Sequence, residues 1–193
     1  MKKHQLLALF LGALLASLWA CKPTNKKESS KSTKTMNVDS QTKEVDLQKI
    51  DPKKIGQKNK NTVKKFFELL EQENITAFVD LFAHNGKQVN PYASGLFPTG
   101  AKGKAALKKY WEPVPGNFAG MKFPIHEIYA MEDPNIVYVK YSGQIKLKDN
   151  AGTYENDYYS TFKFDSNGKI VEYVEIFNPI VAAHGFGLLD KIK

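Results

Sequence analysis

The stretch IVYVKYSGQIKLKDNAGTYENDYYSTFKFDSNGKIVEYVEIFN, residues 136–178, decides the fold. It contains three runs rich in Ile, Val, Tyr, Phe and Thr, a composition typical of β-strands. Two segments separate the runs, Asp149-Asn150-Ala151-Gly152 and Asp165-Ser166-Asn167-Gly168. The Asn-Gly pair in the second is a strong signal for a tight hairpin turn. The pattern predicts strands over 136–147, 153–164 and 169–178, joined as an antiparallel meander.

The residues before this meander predict three helices, a short strand over 87–90 and one longer strand. Apolar residues recur at helical spacing from residue 61 onward, at Val63, Phe66, Phe67 and Leu70. Asn74 can cap a second helix that Gly86 would end, and Pro113 would end a third. Residues 121–131 predict a strand, and 179–189 a closing segment. Helices followed by an antiparallel meander predict an α+β fold, with the helices on one face of a curled sheet.

The first 21 residues predict export. Lys2 and Lys3 precede an uncharged, mostly apolar run of 15 residues that ends at Ala20, shorter than the ~20 that span a bilayer. These features predict a signal peptide over residues 1–20. Leu18-Trp19-Ala20-Cys21 resembles a bacterial lipoprotein signal, in which the cysteine is lipidated and becomes the new N-terminus. Cys21 is the only cysteine, so it has no partner for an internal disulfide. Ordinary cleavage that leaves a free thiol is the alternative.

We therefore expect a cell-envelope protein, held by the lipid on Cys21 in the outer membrane and facing the periplasm. A Gram-positive surface fits the signal almost as well. Residues 21–60 contain eleven lysines and five acidic residues, a polar composition that predicts a flexible tether. Residues 61–193 contain fifteen of each and predict one folded domain. Because that domain has no positive excess, nucleic-acid binding is not expected.

Chemistry that depends on an arginine fork is excluded, because all 28 basic residues are lysines. The histidines offer little more: none has a second histidine or a carboxylate at ligand spacing, so no metal site is expected. His126 shares strand parity with Ile128, which predicts that it faces inward. No phosphate-binding glycine loop or nucleophile elbow is present, and no cofactor is expected.

Strand alternation places an acid among aromatic side chains. On the last strand, Tyr173, Glu175 and Phe177 share one face, which the pattern makes the buried one. Tyr154, Tyr158 and Ser160 share the inner face of the preceding strand. A carboxylate is rarely buried without a partner or a task. These residues predict a pocket for a small molecule; a rim position in which Glu175 reaches water or a lysine is the alternative.

Several short strings resemble one known superfamily. They are Asp80-Leu81-Phe82-Ala83, Val89-Asn90-Pro91, Gly103-Lys104 and the hairpin from Phe164-Asp165 to Gly168-Lys169-Ile170. Together they resemble the SnoaL-like branch of the nuclear transport factor 2-like superfamily, over residues 61–193. Within it, Glu132-Asp133-Pro134-Asn135, Tyr154-Glu155-Asn156 and Glu175-Ile176-Phe177-Asn178-Pro179 most resemble the phenazine-biosynthesis A/B proteins. The resemblance implies a cone-shaped α+β fold, with a curved antiparallel sheet around helices and a deep pocket.

Activity carries over from these relatives only in part. The catalytic aspartate of the ketosteroid isomerases falls at Asn90, which cannot take a proton, and their oxyanion-hole acid falls near Ser160. The Asp-Arg-Asp set of the limonene epoxide hydrolases cannot be built without arginine. The phenazine-type proteins imply roles for Glu175 and Tyr154, and their helical histidine falls near Tyr110.

Three functions follow, from different classes. The first is a lipid-anchored protein that binds a small apolar or aromatic molecule, without chemistry. The second is a proton-transfer isomerase, dehydratase or cyclase, with Glu175 as general acid or base and Tyr154 as its catalytic partner. The third is a homodimer or interaction module that uses the outer sheet face, with Val139, Tyr141 and Ile145 or their alternates as an apolar patch. The expected pocket residues are Asn90, Tyr110, Tyr158, Ser160, Tyr173 and Phe177.

Overall fold

The computed structural model of the chain describes residues 51–191. The predicted signal peptide, the predicted lipidation site at Cys21 and most of the predicted tether lie outside these residues. Within the described part, no helix combines the length and the apolar character needed to cross a membrane.

Helix α1, Pro52–Glu71, begins nine residues before the predicted start at residue 61. Asp51 accepts a hydrogen bond from the Lys53 backbone N–H, and proline stands at the first helical position. Both features favour a helix start. Residues 52–60, which were predicted as tether, are therefore helical. The spacing of the buried residues continues through this added part, where Gly56 and Asn59 face the sheet.

Helix α2, Ile75–Asp80, is capped as predicted, because Asn74 accepts a hydrogen bond from the Ala77 backbone. Its predicted end at Gly86 is wrong. Strand β1, Phe82–Val89, follows at once and contains Gly86. A Cβ on Gly86 would lie 2.6 Å from the Ile170 carbonyl oxygen. Glycine is therefore needed there for the close approach of two strands rather than for a helix end.

The remaining elements largely match the predicted order. They are β2 (Gly100–Lys102), α3 (Lys104–Trp111), β3 (Phe118–Lys122), β4 (Ile125–Ala130), β5 (Ile136–Leu147), β6 (Thr153–Phe164), β7 (Ile170–Phe177) and α4 (Pro179–Gly185). The single strand predicted over 121–131 is two strands, separated at Phe123-Pro124. The Phe123 N–H donates to Glu71 on α1 rather than to a neighbouring strand, and proline has no N–H for a ladder.

The seven strands form one sheet in the order β2-β1-β7-β6-β5-β3, and β4 also pairs with β5. All pairs are antiparallel except β1 with β7, which is parallel. The strongly curled sheet with helices in its concavity confirms the predicted α+β cone fold. In the core, the Phe66 ring on α1 lies 4.9 Å from the rings of both Phe162 and Tyr173.

Val139, Tyr141 and Ile145, which the sequence offered as a possible apolar patch on the outer face, lie on the inner face of β5. These three side chains are 0%, 1% and 5% exposed. They pack with the helices or with β3, so they cannot form an exposed apolar patch. The alternate positions, which include Tyr138 and Lys140, face outward.

Candidate functional site

Glu175 faces the inside of the cone from the middle of β7. It lies directly opposite Ser160 on β6, and Tyr173 lies opposite Phe162. Ser160 is 0% and Tyr173 1% exposed, whereas Glu175 is only partly buried. The alternation expected from the sequence therefore holds along β6 and from Tyr173 onward on β7. At the start of β7, where the register against β6 shifts, Ile170 is buried and Val171, which the sequence placed on the inner face, is partly exposed. The carboxylate lies among aromatic side chains.

Three neutral donors hold the Glu175 carboxylate. The Tyr173 hydroxyl donates to Oε1 at 2.9 Å, and the Tyr141 hydroxyl reaches the same oxygen at 3.3 Å. The two hydroxyls lie 2.8 Å apart. From β1, Gln88 Nε2 donates to Oε2 at 3.2 Å. Sequence reasoning had identified Tyr173, but it missed Tyr141, which was assigned to the outer face, and Gln88.

A second layer fixes the orientation of the Gln88 amide. Trp111 Nε1 on α3 donates to Gln88 Oε1 at 2.8 Å, which turns the NH2 group toward Glu175. The same NH2 group donates to Asn90 Oδ1 at 3.1 Å. Asn90 in turn donates to the Tyr110 hydroxyl at 3.0 Å and to the Pro98 carbonyl at 2.9 Å. Asn90 and Tyr110, both predicted pocket residues, are therefore connected to Glu175 through Gln88.

Tyr154, predicted as the catalytic partner, does not hydrogen-bond to Glu175 in the structure. Its hydroxyl lies 3.1 Å from the Tyr158 hydroxyl and accepts a hydrogen bond from Asn156 Nδ2 at 2.8 Å. Tyr158 connects the two regions, because its ring stacks on Tyr141 at 4.8 Å and 10°. Tyr154 is thus separated from the carboxylate by Tyr158 and Tyr141.

The electrostatics of the site follow from the Glu175 carboxylate, which the surrounding protein desolvates although part of it stays exposed. Burial raises the pKa of Glu175 to about 6, although the hydrogen bonds from Tyr173, Tyr141 and Gln88 act against the shift. Glu175 takes part in none of the ion pairs between described residues. Burial first, and then the Glu175 charge, raise the pKa values of Tyr110, Tyr141 and Tyr173. The tyrosines remain protonated donors at neutral pH.

Ser160 supplies a polar group without a well-formed hydrogen bond. Its side chain is fully buried, and Oγ makes no hydrogen bond of good geometry within residues 51–191, although it lies close enough to the Tyr141 hydroxyl to oppose the rise in the pKa of that tyrosine. A buried hydroxyl without a partner costs about 1–3 kcal/mol of stability. Because Ser160 lies opposite Glu175, the unsatisfied hydroxyl belongs to the same site. A polar group of a ligand would satisfy it.

The Glu175 site borders a second, mostly aromatic cluster. Glu175, Tyr110, Tyr158 and Phe177 all keep partial exposure. Beyond them, Phe97 packs edge-on against Phe177 at 5.6 Å. Further members of this cluster are Met121, Ile145, Tyr154, Phe118 and Phe186. At this end of the cone, apolar side chains therefore lie next to the partly exposed carboxylate.

A cleft of about 640 Å³ lies on the other side of the sheet. Ser142, Asp157, Tyr159 and Ile176 from the outer face line it, and Phe177 borders it at the end of β7. It is separate from the Glu175 carboxylate, which lies on the inner face.

His126 is exposed, which corrects the prediction that it faces inward. A register shift between Ile125 and Glu127 reverses the alternation of β4 at this point. His126 Nε2 hydrogen-bonds to Ser142 Oγ, which donates to Asp157 Oδ1. No group of three or more potential metal-ligating side chains occurs in the part of the chain that the structure describes.

The fold defines a class of proteins: α+β cones in which a curled, mostly antiparallel sheet encloses helices. The chain belongs to the SnoaL-like domain family, which matches residues 63–173. The uncharacterized protein YesE of Bacillus subtilis (strain 168) is 25% identical over 126 residues, 65% of this chain and 85% of YesE.

Solved structures share the fold. The crystal structure of a Bacillus subtilis protein whose isomerase activity is only proposed matches with a TM-score of 0.64 and 24% identity, over 69% of this chain and 96% of that one. A phenazine biosynthesis-related protein from Pseudomonas aeruginosa matches with a TM-score of 0.62 and 23% identity, over 72% and 86% of the two chains. At these identities the likeness shows the fold alone.

Proposed function

We propose that this protein binds a small apolar or aromatic molecule in the interior around Glu175, while a lipid on Cys21 holds it at the cell envelope. One observation carries the binding proposal: the partly exposed Glu175 carboxylate, which no cation of the described residues pairs with, lies opposite the buried Ser160 hydroxyl among tyrosine rings. A few convergent polar groups in an apolar setting are what small-molecule sites contain. Membership of the SnoaL-like family, whose members bind small molecules, supports the same function.

Two neighbouring tyrosines on β6 provide the test, because they face opposite sides of the sheet. Tyr158 stacks on Tyr141 on the inner face of the sheet, whereas Tyr159 lies on the outer face and is 44% exposed. Indole serves as a neutral aromatic probe, and NMR titration of the full-length mature protein measures its affinity. We expect Tyr158→Ala to weaken binding about tenfold, since loss of the ring contact costs roughly 1.4 kcal/mol or more.

Tyr159→Ala is the matched control and should leave the affinity unchanged. Binding that is lost in Tyr159→Ala and kept in Tyr158→Ala would place the ligand in the outer cleft instead. Indole that does not bind the wild-type protein at all would contradict the proposal.

Proton transfer is a second candidate, favoured by the raised pKa of Glu175. An acid that titrates near 6 is suited to general acid or base catalysis at neutral pH. The Ser160 hydroxyl opposite Glu175 can donate to a developing oxyanion. Tyr141 and Tyr173 direct their single hydroxyl protons to Glu175 or to each other, and Tyr154 lies outside that network. On a carbonyl substrate, Glu175→Gln should abolish turnover; turnover that survives would remove Glu175 from the mechanism.

The anchor and the oligomer are separate proposals. Incorporation of a labelled fatty acid into the wild-type protein, and its loss in Cys21→Ser, would test lipidation; fractionation of the two membranes would test placement in the outer membrane. A homodimer would have to use outward residues such as Tyr138 and Tyr159, because Val139, Tyr141 and Ile145 are buried. A monomer in light scattering at micromolar concentration would contradict it.

A further inference from the structure

We infer that the ligand of the Glu175 site carries a protonated amine, an inference that rests on the small-molecule binding proposed above. The first support for this inference is that no positively charged side chain of the described residues pairs with Glu175. Glu175 is held by Tyr173, Tyr141 and Gln88, which are all neutral. No lysine or histidine within residues 51–191 pairs with it. An uncompensated carboxylate in an apolar interior is stabilised most by an incoming cation.

The hydrogen bonds of the carboxylate leave a position for that cation. Oε1 accepts from both Tyr173 and Tyr141, whereas among residues 51–191 Oε2 accepts only from Gln88 Nε2. Each carboxylate oxygen has two lone pairs, so Oε2 retains one free acceptor position. An ammonium N–H can occupy it without displacing any of the three donors. A quaternary ammonium has no N–H and would leave this position empty.

The surrounding rings favour the same ligand. Tyr158 stacks one face on the buried Tyr141 at 4.8 Å but keeps partial exposure, and the partly exposed Phe177 lies 6.0 Å from it. The face of an aromatic ring attracts a cation by about 0.5–2 kcal/mol, and most strongly where water is excluded. The hydrocarbon part of an arylalkylamine would contact the same rings. An anionic ligand gains neither interaction and is repelled by Glu175.

Ser160 adds a selective contact beside the ammonium position. Its buried hydroxyl lies opposite Glu175 and makes no hydrogen bond of good geometry among the described residues. A second polar group on the ligand, a hydroxyl or a carbonyl oxygen, would satisfy it. The chemical class is therefore a small arylalkylamine, protonated at neutral pH, and a further polar group near its nitrogen would be matched to the Ser160 hydroxyl.

Three probes of matched shape and different charge test the inference. They are 2-phenylethylamine, 2-phenylethanol and phenylacetate, titrated by calorimetry at pH 7 into the full-length mature protein. We expect the amine to bind at least tenfold more tightly than the alcohol, and phenylacetate to bind most weakly. In Glu175→Gln the advantage of the amine should disappear, while the affinity for the alcohol stays within about threefold, because the shape of the site is kept.

Glu172→Gln is the matched control, because Glu172 lies on the same strand but pairs with Lys87 and Lys163 on the outer face of the sheet. It should retain the full preference for the amine. If circular dichroism shows that Glu175→Gln is unfolded, a pH series of the wild-type protein replaces it. Amine affinity should then fall between pH 7 and pH 5, while alcohol affinity stays constant, because Glu175 has a pKa of about 6.

The outcomes separate this inference from the proposed function. Equal affinity for amine and alcohol in the wild-type protein would overturn the amine preference and leave small-molecule binding intact. If indole binds and none of the three charged or polar probes does, the amine preference is likewise overturned and small-molecule binding is kept. If neither indole nor any of the three probes binds, both the inference and the proposed function fail.

Discussion

Glu172 and Glu175 stand three residues apart on β7 and face opposite sides of the sheet. Outside, Glu172 is paired with Lys87 at 2.6 Å and Lys163 at 2.8 Å. Hydrogen bonds from these two lysines, Lys163 first, lower its pKa. Inside, Glu175 meets only neutral donors, and burial raises its pKa to about 6. The same side chain is thus a surface ion-pair partner on one face and a poised, uncompensated acid on the other.

The difference shows what strand alternation decides. Because successive side chains of a strand point to opposite faces, Glu172 meets lysine cations on the outer face and Glu175 meets tyrosine hydroxyls in the apolar interior. Charge pairing then favours ionisation of Glu172, and desolvation disfavours ionisation of Glu175. Of these two glutamates, only Glu175 lacks a cationic partner among the described residues, so only Glu175 can form a new ion pair with a ligand.

The largest expected effect comes from removing an inner donor. Tyr173→Phe deletes the 2.9 Å hydrogen bond to Glu175, and a hydrogen bond to a charged group contributes about 1.5–3 kcal/mol. We expect a loss of that size in the free energy of unfolding at pH 8, measured by denaturant titration. The loss should be smaller at pH 5, where Glu175 is protonated.

Tyr159→Phe on the outer face of β6 is the control. Its ring is 44% exposed, so its effect should stay within about 0.5 kcal/mol. An equal loss at pH 5 and pH 8 in Tyr173→Phe would show that packing of the hydroxyl, rather than the Glu175 charge, accounts for the effect.

The pH dependence of stability should carry the second largest effect. The pKa of Glu175 rises from 4.5 to about 6 on folding. Its contribution is therefore fully present below pH 4.5 and is lost as pH rises through 6, by about 2 kcal/mol. We expect this decline in the difference between wild-type and Glu175→Gln unfolding free energies, measured from pH 4 to pH 8.

The corresponding difference for Glu172→Gln should change with pH in the opposite direction. The pKa of Glu172 is lowered in the folded protein, so its ionised form stabilises the fold at pH values above the pKa of the unfolded chain. That contribution is lost as pH falls. If the two difference curves run in the same direction, the two faces of β7 do not differ in the way the structure indicates.

Local signals in the sequence predicted much of the fold. Strand alternation and turn residues gave β5 and β6 with correct bounds, and they placed Glu175 and Ser160 on the inner face. The Asn74 cap also followed from a local rule. These features depend only on the order of neighbouring residues, which is why they can be read without knowledge of the rest of the chain.

The partners of Glu175 could not be predicted in the same way. Gln88 is 87 residues away in the sequence, and it reaches Glu175 only because β1 pairs with β7 in parallel. The register shift that turns His126 outward has no clear local signal. The early start of α1 did have one, Asp51 followed by Pro52, but the lysine-rich composition of the segment outweighed it in the prediction.

The smallest expected effect is on the outer face. Lys163→Met removes one of the two cations that pair with Glu172, while Lys87 remains. Because Lys163 is 51% exposed, water and salt screen the pair, and its loss should cost less than about 1 kcal/mol. Molar salt in the unfolding titration should reduce even this loss toward zero. Tyr173→Phe, measured alongside, should keep its effect in the same salt because its hydroxyl meets Glu175 in the interior. A salt-resistant loss in Lys163→Met would mean that Glu172 also behaves as a buried charge, and the contrast between the two glutamates would fail.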